Sequence, residues 1–435
     1  MRLVSFGTAG WRRYLKRLPR AGGAPPGVER VVAAIVGSVE REGDRALLRQ
    51  TRRLDGVALE TSRIRVTREE IHGLARRADP NVVAALRAAA RRIEAYHRRQ
   101  AGRGFRLRLI GGGRLDEVVT ALGSVGLYVP GGAGAYPSSV LMNAIPARVA
   151  GVRRIAVCTP PRTLEANPAV AAALVVARVE SEVYRVGGAQ AVAALAYGTA
   201  TVAPVDKIVG PGNAFVAAAK RRVRGRVEID HEAGPSEVVI LADETARAEF
   251  VAADLLAQAE HGSGQETVVL VTPSRALAGE VARLVAAGLD GVANPRSARR
   301  AVARFGAAVL VRHLAEGIEA VNALAPEHVE IHTRRPGPIA SRIVAGAVFV
   351  GGHAPVAVGD YGIGPNHVLP TGGAARYSSA LSVRDFQRHQ SVIWMTPRSL
   401  RRVARDVEIL AEAEGFLGHA KSVLIRAPRD GARGR

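Results

Sequence analysis

Three times between Val118 and Lys220 the chain runs a short apolar stretch into a glycine turn and out into an alanine-rich segment. The three turns are Val125-Gly-Leu-Tyr-Val-Pro-Gly-Gly132, Val186-Gly-Gly-Ala-Gln190 and Ile208-Val-Gly-Pro-Gly-Asn213. Apolar runs too short for a helix, each followed by a helix-length segment, mark strand–helix units, and repeated units of that kind build a largely parallel sheet. A second series runs from Val238-Val-Ile-Leu241 through Val268-Val-Leu-Val271, Val309-Leu-Val311 and Val329-Glu-Ile331 to Val348-Phe-Val350. The pattern predicts an α/β chain with two such domains, which its 435 residues can accommodate.

The flanks read differently. From Val31 to about Gln100 apolar residues recur at three- and four-residue spacings (Val32, Ile35, Val39, then Val83, Leu86, Ile93), a helical pattern punctuated by turns at Glu42-Gly43-Asp44 and Leu54-Asp55-Gly56. Ala21-Gly-Gly-Ala-Pro-Pro-Gly27 reads as a linker after an N-terminal arm. Leu400, Val403, Val407 and Leu410 predict a C-terminal helix, broken at Gly415 and Gly418.

Charge needs separate weighing, because a formal +22 ordinarily suggests nucleic acid or anionic lipid. Through Arg108 there are 25 basic and 10 acidic residues, so the excess is concentrated in the first quarter. Only four of the 61 basic residues are lysines, as a coding bias toward arginine would produce, and no helix-turn-helix, zinc-finger or aromatic RNA motif accompanies them. No nucleic-acid partner is expected. The first residues lack a signal peptide's apolar stretch, and runs such as Ala169–Ala177 stop well short of the ~20 residues that span a bilayer. No membrane association and a cytoplasmic location are expected. The single cysteine, Cys158, excludes an internal disulfide and a multi-thiolate zinc site.

Several motifs carry chemistry. Glycines at the three turns let backbone N–H groups approach an anion closely, and a helix N-terminus adds partial positive charge, so a nucleotide phosphate is the natural guest. None matches G-x-G-x-x-G, and each also reads as plain turn chemistry. Gln258 and His261, three apart near the end of a helical run, either share a metal or leave the histidine to complement the helix dipole. Glu327 and His328 form an acid–base pair in which one group activates water and the other takes a proton. His328, Glu330 and His332 alternate along a strand, as an edge-strand metal site or a solvated polar face would. The turn-rich segment 359–373 carries Asp360 and His367, and Glu414 and His419 bracket the broken C-terminal helix.

Taken together, the segments Tyr128-Val-Pro-Gly-Gly132, Tyr136-Pro-Ser-Ser-Val-Leu-Met-Asn143, Val186-Gly-Gly-Ala-Gln190, Gly210-Pro-Gly-Asn-Ala-Phe215, Ala233-Gly-Pro-Ser-Glu237, Gln258-Ala-Glu-His261, Pro326-Glu-His328 and Asn366-His-Val-Leu-Pro-Thr371 resemble the histidinol dehydrogenase family in order and spacing. The resemblance covers nearly the whole chain and is weakest from Arg106 to Leu122. It implies a zinc- and NAD-dependent enzyme that oxidises L-histidinol through L-histidinaldehyde to L-histidine, with one zinc per subunit and two NAD consumed. It implies zinc ligands Gln258, His261, Asp360 and His419; catalytic residues Glu327 and His328; NAD contacts from Tyr128, Gln190 and Asn213; and a substrate pocket of those ligands with Ser236, His328 and Glu414. It further implies two Rossmann-like domains of incomplete, atypical type. Residues 1–26 would be an arm, 27–107 with 236–380 a discontinuous domain carrying zinc and the catalytic pair, 108–235 the NAD-binding domain, and 381–435 a helical tail completing the partner subunit's site in a homodimer. The rival enzyme, an aldehyde dehydrogenase using Cys158 as nucleophile, is disfavoured because Ile155-Ala-Val-Cys-Thr reads as a core strand.

Overall fold

A computed structural model describes residues 1–20, 27–131, 136–231 and 234–427. The expected linker, apart from Gly27, lies outside the described residues, as do Gly132 and Ala233 of the glycine motifs. The first strand–helix series forms a six-stranded sheet in the order Arg65–Val66, Val183–Arg185, Arg154–Thr159, Ser124–Tyr128, Lys207–Val209, Glu228–Ile229. All its pairings are parallel except that of Arg65–Val66. The chain builds outward from Ser124–Tyr128 to Val183–Arg185 and then returns to add Lys207–Val209 on the other side. The order therefore reverses between Ser124–Tyr128 and Lys207–Val209, the place where open α/β sheets bind ligands at their carboxyl ends.

The second series forms another six-stranded sheet, wholly parallel, in the order Arg2–Ser5, Ala307–Leu310, Thr267–Thr272, Glu237–Ala242, His328–His332, Ala347–Val350. Val238, Val239, Ile240 and Leu241 are all buried, with alternate residues in the clusters on the two faces. Burial on both faces is why this strand reads as an unbroken apolar run. In the first sheet the same alternation puts Val125 and Leu127 in one cluster and Tyr128 in the other. Gly126 falls on the face covered by the helix Gly188–Tyr197, where an added Cβ would sit 2.9 Å from the Leu195 methyls. A missing side chain and an alanine-rich helix together set that close packing.

Packing corrects the expected grouping of residues 27–107 with 236–380. Val32, Ile35, Val36 and Val39 of the helix Val28–Glu42 bury against Ala191, Leu195 and Val216, while Leu86 and Ile93 of the helix Pro80–Arg98 bury against Leu141 and Ile145. These helices cover both faces of the first sheet. Residues 1–20 are not a free arm either. Arg2–Ser5 is an edge strand of the second sheet, and Trp11, Tyr14 and Leu18 join its core, with the Tyr14 hydroxyl donating to the Phe305 carbonyl at 2.6 Å. The tail is helical over Pro397–Ala413 and Leu417–Leu424, but it begins with the strand Gln387–Trp394. That strand pairs antiparallel with Arg114–Ala121, which pairs with Arg106–Arg108, making a small third sheet. Among the described residues no helix is long and apolar enough to cross a membrane.

Candidate functional site

His328–His332 lies between Glu237–Ala242 and Ala347–Val350, so it is neither an edge strand nor solvated. His328, Glu330 and His332 are 4%, 0% and 4% exposed. The parallel register sets His328 beside Val238, which brings Glu237 and Glu327 together at the amino ends of their strands. A helix that follows a parallel strand runs back along the sheet, so the end of Ala248–Ala259 returns to the same edge with Gln258 and then His261. Asp360 closes the short helix Val356–Asp360 after the next strand over.

Local hydrogen bonds fix these groups. His328 donates from Nδ1 to the Glu237 carbonyl at 3.0 Å, leaving Nε2 bare and 3.9 Å from the Asp360 carboxylate. Burial lowers the His328 pKa more than Asp360 restores it, so the ring is neutral and basic at Nε2. The Glu327 carboxylate accepts the Glu237 N–H at 2.9 Å and a hydrogen bond from the Ser236 hydroxyl. Burial first, then the Glu237 and Asp360 charges, push its pKa well above the carboxylate range. Glu237 returns the contact by accepting the Glu327 N–H at 3.3 Å, and it also accepts the Gly372 N–H at 3.1 Å. Burial pushes Glu237 up to about 7. His367 donates to the Asp360 carbonyl at 2.8 Å and meets the Ser139 hydroxyl at 3.3 Å, so the 359–373 segment joins the two sheet domains.

The donors at this edge suit a zinc ion. His261 gives its Nδ1 hydrogen to the Gln258 carbonyl at 3.0 Å, which leaves Nε2 as a free lone pair, the usual state of a metal-ligating imidazole. The Gln258 amide is buried and its Nε2 has no partner, and a half-turn of the amide would present oxygen at that position. With the Asp360 carboxylate these give an oxygen–nitrogen set compatible with Zn2+. Glu414 and His419 are exposed. Among the described residues the only three acidic, histidine or cysteine side chains with ligand atoms mutually within 4.8 Å are Asp254, Glu330 and His332. One chain therefore does not bring His419 to His261 and Asp360.

The Asp254–Glu330–His332 group satisfies itself. Glu330 accepts the Val356 N–H at 2.8 Å on one oxygen and meets His332 Nε2 at 3.0 Å on the other. Burial and the hydrogen-bonded Glu330 push Asp254 up to about 8. Asp254 lies one turn before Gln258, Glu330 two residues after His328, and Val356 one turn before Asp360. The cluster thus ties together the three elements that carry the site, a role invisible when Glu330 and His332 are read only as a strand face.

At the carboxyl end of the first sheet, Tyr128 accepts the Gly188 N–H at 3.1 Å on its hydroxyl. Gln190 is fully buried, donates to Asp55 at 3.3 Å, and has an amide oxygen without a partner. The Asn213 side-chain oxygen caps the helix Ala214–Val223 by accepting from Phe215 and Val216 N–H. Gly210, at φ 116°, passes so close to Tyr128 that a Cβ would lie 2.2 Å from its carbonyl oxygen. Its N–H goes to Asp230 at 2.7 Å and its carbonyl to Lys220 at 3.0 Å, and Lys220 and Asp230 form a buried ion pair. The unfilled Gln190 amide oxygen, next to the Asp55 carboxylate at the carboxyl end of this sheet, suits the hydrogen-bond donors of a dinucleotide. Cys158 is wholly buried, and burial raises its thiol far from thiolate chemistry, against the rival nucleophile. Sequence reading gave no role to Glu237, although it ends the segment Ala233-Gly-Pro-Ser-Glu237, or to Asp55, read as part of a turn.

Two largely parallel sheets, with buried carboxylates and imidazoles at the edge of one and glycine turns with an unfilled buried amide at the carboxyl end of the other, define an enzyme of the α/β class. The family model for histidinol dehydrogenase matches residues 19–427. Histidinol dehydrogenase of Bradyrhizobium diazoefficiens is 49% identical over 400 residues, covering 92% of each chain, and that of Moorella thermoacetica is 48% identical over 407 residues, covering 93% of this chain and 95% of the relative. The crystal structure of histidinol dehydrogenase from Elizabethkingia anophelis superposes with a TM-score of 0.91 at 31% identity, covering 98% of this chain and 97% of that one. The chain belongs to the histidinol dehydrogenase family and is an oxidoreductase.

Proposed function

We propose that the protein oxidises L-histidinol through L-histidinaldehyde to L-histidine in the cytoplasm, consuming two NAD. The observation that carries the chemistry is His328, tied at Nδ1 to a backbone carbonyl, kept neutral by burial, and bare at Nε2 toward Asp360. His328 takes the proton of the substrate hydroxyl in the first oxidation. Glu327, once ionised, takes a proton from the water that hydrates the aldehyde before the second. Its raised pKa means that the ionised base becomes populated only as pH rises, so aldehyde oxidation should quicken toward alkaline pH. Ser236 orients Glu327. NAD, when bound, would supply the hydride acceptor for each oxidation, and zinc would supply a positive centre that orients the substrate. Gln258, His261 and Asp360 would hold that zinc, and Tyr128, Gln190 and Asn213 would contact NAD.

Glu414 and His419 complete the substrate and metal site from a second copy of the chain, in a homodimer with shared sites. Their exposure here and the exposed Leu410, Phe416 and Leu417 around them support this. The test is NADH formation on adding L-histidinol to purified protein, with and without a chelator. Formation that the chelator abolishes is expected, and absence of NADH from zinc-loaded protein would defeat the proposal.

A further inference from the structure

We propose that Asp55 accepts hydrogen bonds from the adenosine ribose hydroxyls of the dinucleotide and so makes the protein select NAD over its 2′-phosphorylated form. The inference rests on the NAD reading above and adds a residue that the glycine motifs do not contain. Asp55 ends the helix Asp44–Asp55, and Gly56, at φ 66°, turns the chain away from it. The Asp55 carboxylate meets Gln190 at 3.3 Å, and its charge is felt at the Tyr128 hydroxyl.

The polarity of the ligand follows from the groups left over. Gln190 keeps a buried amide oxygen without a partner, and Asp55 has a second carboxylate oxygen. Both are acceptors, so the matching ligand carries donors and no negative charge: a pair of neighbouring hydroxyls fits and a phosphate does not.

Position says which ribose. The catalytic edge meets the first sheet through Ser139, just after the strand Ser124–Tyr128, and through Gly234, whose N–H goes to Thr371 at 2.6 Å just after Glu228–Ile229. Gln190 follows Val183–Arg185, two strands beyond Ser124–Tyr128 and roughly 10 Å farther from that edge at the usual strand spacing. The nicotinamide has to lie at the catalytic edge, so the half of the dinucleotide beside Asp55 is the adenosine half.

The surroundings favour a phosphate once the carboxylate is gone. Arg162 donates to the Gly56 carbonyl at 3.3 Å, and exposed Arg52 and Arg53 precede Asp55 on its helix.

The test is calorimetric titration of NAD and of NADP into wild type, Asp55→Asn and Asp55→Ser, without substrate. Asparagine can still accept from Gln190, so Asp55→Asn separates ligand recognition from the positioning of Gln190. Wild type should prefer NAD, and Asp55→Asn should weaken NAD by about tenfold or more, the value of a charged hydrogen bond, while strengthening NADP. The ratio of the two affinities should fall toward one in both variants. An unchanged ratio in folded Asp55→Asn, with wild type still binding NAD, overturns the role of Asp55 alone. Wild type that binds neither nucleotide overturns the cofactor reading and this inference with it.

Discussion

Glu237→Gln removes a buried carboxyl from beside Glu327 while keeping an oxygen that can accept the Glu327 and Gly372 N–H groups. In the unfolded chain Glu237 ionises near the ordinary 4.5, whereas burial pushes it up to about 7 in the folded protein. Between those values the folded state holds a proton that the unfolded state has released, so this group makes stability fall as pH rises, and its effect is constant above the folded value. At about 1.4 kcal/mol per pH unit, the shift corresponds to roughly 3 kcal/mol. The glutamine variant lacks that titration. Urea unfolding of metal-free protein, at steps from pH 4.5 to 8, should therefore show wild type losing roughly 3 kcal/mol more than Glu237→Gln over the range. Parallel profiles for the two proteins would refute the buried-carboxyl argument. So would a steeper loss in the variant.

His261→Asn and Asp360→Asn should each release zinc, measured by metal analysis after gel filtration, since one ligand fewer leaves the oxygen–nitrogen set too weak; full occupancy in either variant means the ligands are elsewhere. Co-refolding inactive His328→Ala with inactive His419→Ala should restore about a quarter of wild-type activity if the tail acts on a partner, because half the dimers are mixed and each has one intact site. Proven heterodimers without activity would exclude a shared site. Lys220→Met should cost about 3–5 kcal/mol in chemical denaturation by leaving Asp230 buried without its cation, and should weaken NAD binding by loosening Gly210; wild-type values on both counts would show that the ion pair does not hold the loop.

The strands were legible because burial on both faces leaves an unbroken apolar run, as at Val238–Leu241. Glu327 and His328 were legible because they are adjacent. The placement of residues 27–107 was not, since the stripe Val32, Ile35, Val39 shows that a helix has a face to bury but not which sheet receives it. Gln387–Trp394 escaped notice because its residues are mostly exposed or half-buried, without the apolar alternation that marks a strand. Glu237 and Asp254 act through partners 90 and 76 positions away, Glu327 and Glu330, and a single sequence carries no record of such pairings.

The strand Arg114–Ala121 finds its mate Gln387–Trp394 only after more than 260 further residues have been made. At roughly 5–20 residues per second, a ribosome needs on the order of 13–50 s for that length. Throughout that interval the hairpin of Arg106–Arg108 and Arg114–Ala121 has an open edge, on which a stray strand from another nascent chain can pair. Its composition answers the exposure: Arg106 and Arg114 both pair with Asp116, and Glu117 follows. Charges of this kind discourage foreign pairing. The charged residues of the hairpin, set among apolar ones, would thus discourage pairing at that edge until the rest of the chain arrives to close it.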